Sequence, residues 1–188
     1  MNSNRTTAML IAVCLLAGCA DKKDGCSSCS DDHASGTTTQ TTAAGPTPAV
    51  FVTEPPAGEP TPIPEARKQF KPGDELLLSG MVMGVKHPFV QGRAVFVLGD
   101  RGTLTPCNER DPDHCATPWD VCCDDPAAKA AGTATIQVLD DDGNVLARGL
   151  KGAGGLKELS RVIVAGKVAP NASEEAFIVN ATAIHVTK

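Results

Sequence analysis

Strict alternation governs residues 133–138, where Ala134, Ile136 and Val138 fall on one side of an extended chain and Thr133, Thr135 and Gln137 on the other. A period of two marks a strand with one buried face. Apolar runs of strand length recur at 74–85 (DELLLSGMVMGV), 93–100 (RAVFVLGD), 161–168 (RVIVAGKV) and 176–186 (AFIVNATAIHV). Residues 73–188 therefore predict a mainly β domain of five strands. Gly80 and Gly84 interrupt the first run, and glycine inside a strand permits a bend or bulge where one strand must serve two neighbours. Asp142-Gly143 marks a hairpin turn after the third strand. The stretch GLKELS, 155–160, predicts one or two helical turns between the third and fourth strands.

Upstream the pattern disappears. Residues 19–70 pass from DKKDGCSSCSDDHASG through TTTQTTAAGPTP to EPPAGEPTPIPEA, polar first and proline-rich later. Such composition buries too little apolar surface to offset chain entropy, so this stretch predicts a disordered Thr/Pro-rich tether. Its one apolar island, AVFV at 49–52, is a candidate for docking on the domain. The boundaries expected are a leader at 1–18, the tether at 19–70 and the β domain at 71–188, with a cysteine-rich insert at 101–132.

A bent first strand, a short second, a third, a small helix and two closing strands form an order that resembles the OB-fold. That fold is a five-stranded Greek-key barrel with a helix between strands three and four. The segments HPFVQGRAVFVLGD, HCATPWDVCC, IQVLDDDGNVL and GLKELSRVIVAGKV together resemble a set of uncharacterised planctomycete lipoproteins. The likeness covers nearly all of residues 73–188 and implies fold and address without an activity. That family usually carries tyrosine between the Asp and the paired cysteines, where this chain has Val121.

The first residues fit the same address. Arg5 and then the apolar run AMLIAVCLLAG form a charged region and a hydrophobic stretch shorter than the about 20 residues of a membrane span, the signature of an export signal. LAGC, 16–19, resembles the lipobox of bacterial lipoproteins, which implies cleavage before Cys19 and its acylation. Two or more acyl chains anchor stably, so the membrane is an expected partner and the cell envelope the expected location. Ala20 after the cysteine leans towards the outer membrane. Cleavage removes Arg5 and takes the formal charge from −5 to −6. With no basic stripe, one tryptophan and no tyrosine, nucleic acid is not an expected partner.

Chemistry concentrates in the insert, which holds Cys107, Cys115, Cys122 and Cys123. In an oxidising envelope four such cysteines predict two disulfides, joining Cys107 and Cys115 to one each of Cys122 and Cys123, since adjacent cysteines bridge each other only through a strained ring. Trp119 would then give the insert a small core. The alternative is a metal site in which Cys107, Cys115, Cys122 and Cys123, with His114, hold zinc or copper. A redox-active thiol pair is a third reading. Cys26 and Cys29 have Cys-x-x-Cys spacing but sit in the tether. No Ser/His/Asp or paired-carboxylate set is discernible. The expectation is a non-enzymatic, lipid-anchored binding module without a cofactor, its braced insert presenting a surface to an envelope protein or small ligand.

Overall fold

The computed structural model describes residues 48–110 and 115–187. Its strands are β1 (Glu75–Val82), β2 (Val95–Gly99), β3 (Thr133–Gln137), β4 (Arg161–Val168) and β5 (Ile178–Val186). They close into a barrel in the order β1-β2-β3-β5-β4. Neighbours are antiparallel except β3 and β5, which run parallel from Thr135↔Ile178 to Gln137↔Asn180. A parallel pair cannot be joined by a hairpin, so the chain leaves β3, crosses to β4 and returns as β5. The result is the expected OB-like Greek-key barrel.

β1 is the strand that serves two neighbours. It pairs with β4 from Glu75 to Met81, but with β2 only at Met81↔Gly99 and Val82↔Leu98. The transfer falls beside Gly80. A Cβ there would lie 2.7 Å from the Gly99 carbonyl oxygen and 2.8 Å from Leu98 Cγ, closer than a side chain tolerates. Alternation places the core as predicted, with Ala134 and Ile136 buried in β3 and their neighbours half-buried. Leu78, Phe96, Leu98, Val164, Val179 and Ile184 join them inside the barrel.

The helical turns expected at 155–160 do not form. The connection from β3 to β4 carries a three-residue 3-10 turn, Ala153–Gly155, and the chain then runs irregularly. Leu159 has φ of 63°, outside the right-handed helical region. Its N–H donates to the Val82 carbonyl and the Val82 N–H donates to the Ser160 carbonyl, both at 2.9 Å. Backbone groups that a helix would need are committed to extending the sheet at the end of β1.

Helix occurs instead at α1 (Ile63–Gln69) and α2 (Pro126–Gly132). The first lies in the stretch read as tether, so the boundary at residue 70 is corrected: residues 48–70 belong to the domain. Phe51 bridges to Ile184 of β5, the Val52 N–H donates to the Ile184 carbonyl at 3.0 Å, and the Ile184 N–H donates to the Val50 carbonyl at 2.7 Å. The AVFV island does dock. Phe51 lies over Gly154, where a Cβ would come within 2.5 Å of its ring. Thr61 bridges to Leu78 of β1, and α1 contacts β1, β3 and α2.

The prolines explain the misreading. Pro62 caps α1 and Pro64 stands in its first turn, where a missing N–H goes unused and a fixed φ suits the helix. A proline-rich composition thus opens a helix here. Ile63 is wholly buried and Ala66 nearly so. Ile63→Ala is expected to cost about 2–5 kcal/mol, visible as a lower urea midpoint with an unchanged slope.

Candidate metal centre

The insert has its own anchorage. Met81, Met83, Leu104 and Val121 form a second buried cluster, with Trp119, Ala128 and Leu159 packed against it. Two of these come from β1 and the residue after it, so the insert's small core is built on the barrel wall. Trp119 pins it further: its Nε1 donates to the Lys86 carbonyl at 3.0 Å, and its own carbonyl accepts from the Gly84 N–H at 3.2 Å. Val121 is wholly buried and fills this core.

Backbone pairing then sets the cysteines. The Cys107 N–H donates to the Asp120 carbonyl at 2.8 Å and the Asn108 N–H to the Pro118 carbonyl at 3.0 Å. Cys107, at the start of a 3-10 turn, is therefore held against the segment leading to Cys122. The Asp124 N–H donates to the Val121 carbonyl at 2.9 Å, folding 121–124 into a turn that points Val121 inwards and leaves Cys122 and Cys123 exposed. Asp124 fastens this turn by accepting from the Thr105 N–H at 3.0 Å and pairing with Arg110. Asp125 caps α2, accepting from the Ala127 and Ala128 N–H groups. Lys129 of that helix donates to the Cys122 carbonyl at 3.3 Å.

The outcome is a knot of sulfur. Cys122 Sγ lies 3.4 Å from Cys115 Sγ, 3.5 Å from Cys107 Sγ and 3.7 Å from Cys123 Sγ. Cys107, Cys115 and Cys122 present sulfurs that all lie within 4.8 Å of one another. The separations are longer than the about 2.05 Å of a disulfide, and in this structure the sulfurs meet as hydrogen-bonded thiols. Cys122 is the hub. Two of the sulfurs expected to pair separately both approach it, and it can bond to one of them only.

Crowded thiols resist ionisation. Hydrogen bonds with Cys107 and then Cys122 push the Cys115 thiol up to about 12. Contact with Cys122 likewise raises Cys123. A metal bound here would have to displace those protons, because the thiolate is the ligand form.

Comparison with family models, with curated proteins and with solved structures found no match to this chain. Function is therefore read from the site.

Of the residues singled out in the sequence, the structure brings together Cys107, Cys115, Cys122 and Cys123. His114, Cys19, Cys26 and Cys29 lie outside the described residues. Sequence reasoning missed α2, although Asp125-Pro126 before an alanine-rich run is a helix-start signal. It also missed Asp124 as the residue that fastens the cysteine turn. Nothing in the spacing announces that role, which depends on Thr105 and Arg110 arriving from elsewhere in the insert.

Proposed function

We propose that this protein is a lipid-anchored envelope protein, non-enzymatic, whose OB-like barrel is a rigid mount for an insert that binds a thiophilic metal ion. The observation that carries this reading is the convergence of three sulfurs within 4.8 Å of one another on a segment braced from both sides. Zinc–thiolate bonds of about 2.3 Å imply sulfur-to-sulfur edges of about 3.8 Å in a tetrahedral cage. The contacts around Cys122, at 3.4 to 3.7 Å, need only a small expansion to reach that. Cys19 supplies the anchor, by resemblance to lipobox sequences, and the apolar leader supports export.

A second reading is favoured by the same leader: in an oxidising compartment Cys107 and Cys122, at 3.5 Å, would join, and the braced insert would present a surface to an envelope protein or small ligand. Both readings retain the anchor. They differ in the sulfurs.

Thiol counting on unreduced protein, denatured with and without a chelator, separates them. Metal binding predicts that Cys107, Cys115 and Cys122 are all alkylated once denatured in chelator and are protected in the native, metal-loaded protein. Four cysteines that resist alkylation until a reductant is added would overturn the metal reading. For the anchor, Cys19→Ser is expected to move the protein from the membrane to the soluble fraction, and an unacylated wild-type N-terminus would refute it.

A further inference from the structure

Resting on the metal-binding reading, we infer that the insert undergoes a two-electron exchange with low-molecular-weight disulfides, in which Cys122 and Cys107 surrender a bound metal ion and join each other. Cys122 receives the disulfide and Cys107 resolves it.

The same two sulfurs serve both arrangements. Cys122 Sγ lies 3.5 Å from Cys107 Sγ, and both belong to the group of three whose sulfurs all lie within 4.8 Å of one another. In a tetrahedral zinc cage two sulfurs stand about 3.8 Å apart, whereas a disulfide holds them at about 2.05 Å. The two states therefore exclude each other. A disulfide sulfur also lacks the thiolate charge that makes cysteine a metal ligand. The ion loses two sulfurs at once, whatever other donors it has.

Exposure fixes the order of the steps. Cys107 is 1 % exposed, Cys115 is half-buried and Cys122 is exposed, so of these three sulfurs a disulfide R–S–S–R arriving from solvent meets Cys122 first. The Cys122 thiolate attacks one of its sulfurs: the Cys122 Sγ–S–R bond forms, the R–S–S–R bond breaks, and the first RS⁻ leaves. The bond from Cys122 to the metal breaks in the same step. The Cys107 thiolate then attacks Cys122 Sγ, forming the Cys107–Cys122 bond, expelling the second RS⁻ and giving up its own bond to the metal. Two thiolates have lost two electrons, the small disulfide has gained them, and the ion departs. The second RS⁻ must move out into solvent, so the in-line attack comes from the protein side, where Cys107 lies. Cys123 is adjacent to Cys122 and would close on it only through a strained ring.

The backbone need not move for this. The hydrogen bonds that hold the two segments run from the Cys107 N–H to the Asp120 carbonyl at 2.8 Å, from the Asn108 N–H to the Pro118 carbonyl at 3.0 Å and from the Asp124 N–H to the Val121 carbonyl at 2.9 Å. None involves a sulfur. Closing the sulfurs from 3.5 Å to a disulfide takes about 1.5 Å, within reach of rotation about the two Cα–Cβ bonds. The insert passes between its states while Val121 and Trp119 stay packed on the barrel wall.

The test uses the full mature chain carrying Cys26→Ser and Cys29→Ser, which removes the tether thiols, reduced, loaded with Zn(II) without oxygen and then treated with oxidised glutathione. Released zinc is read with a chromophoric indicator, and disulfides are mapped by mass spectrometry. The expected result is one Zn(II) released per Cys107–Cys122 bond formed, on matching time courses and with unchanged circular dichroism, and dithiothreitol with Zn(II) restores the loaded state. Cys115 and Cys123 should remain open to alkylation once the oxidised chain is denatured. Cys123→Ser should leave the release rate unchanged, and Cys107→Ser should trap glutathione on Cys122. Because Cys107 is buried, that variant is judged only if its circular dichroism matches the parent chain, and the parent's disulfide map carries the test otherwise. Zinc retained in the glutathione-treated chain, or a disulfide mapped to Cys115–Cys122 or Cys122–Cys123, would overturn this inference and leave metal binding standing. Failure of the reduced chain to take up Zn(II) would overturn both.

Discussion

A chain beginning at residue 71 is expected to fail to fold, while one beginning at residue 48 keeps the barrel. The shorter chain lacks Ile63 and Ala66, both buried in the core, and Phe70, whose ring stacks at 5.0 Å on Phe177. Emptying one buried isoleucine costs about 2–5 kcal/mol, and loss of the half-buried Phe70 ring adds to it. Losses of this size compare with the entire stability of an ordinary domain, about 5–15 kcal/mol. The bridges from Phe51 to Ile184 and from Thr61 to Leu78 would go as well, uncovering the edges of β5 and β1. Arg67, which donates to the Thr133 carbonyl at 3.1 Å, would no longer tie α1 to the start of β3. Far-UV circular dichroism and urea titration of the two chains decide the matter. Cooperative unfolding of the 71–187 chain at an unchanged midpoint would show that residues 48–70 are dispensable.

Alkylation of the metal-free protein should leave Cys115 as its slowest half-exposed thiol. The sign follows from which form reacts: the thiolate is the nucleophile, and a thiol pushed up to about 12 from an ordinary 9.0 is protonated throughout the neutral range. At pH 7.5 its thiolate fraction is lower than that of an ordinary thiol by about a thousandfold. Greater intrinsic nucleophilicity of the more basic thiolate recovers part of this, leaving a rate deficit of about thirty- to sixtyfold. The rate should climb about tenfold per pH unit past pH 10, where an ordinary cysteine has levelled off. Peptide mapping after timed iodoacetamide pulses would measure it. Cys122→Ala removes one of the two neighbours that hold the proton and should speed Cys115, whereas no change on that substitution would show that the crowding is not the cause.

Legibility in the sequence followed the range of the interactions involved. In β3 the alternation of Ala134 and Ile136 with Thr133, Thr135 and Gln137 is set residue by residue, since successive side chains of an extended chain point to opposite faces. Gly80 announced a strand that bends. Residues 155–160 show the limit: GLKELS has nothing local against a helix, yet Val82 captures its backbone groups and Leu159 is drawn to positive φ. At α1 the local signal was present but ambiguous, because prolines that suit a spacer equally suit a first helical turn. Cysteine spacing told that the insert concentrates sulfur. It did not tell that Cys122 is the hub, since that depends on how Cys107 pairs with Asp120 and how Asp124 fastens the turn.

The chain's own order of residues settled the β class, the five strands, the place of the insert and the identity of its four cysteines, all of which rest on periodicity and composition along short stretches. Barrel closure, the incorporation of residues 48–70 and the meeting of three sulfurs were decided by the folded state. Each of these joins segments far apart in the chain, and such a contact is stabilised by burial and hydrogen bonding that no local window of sequence contains.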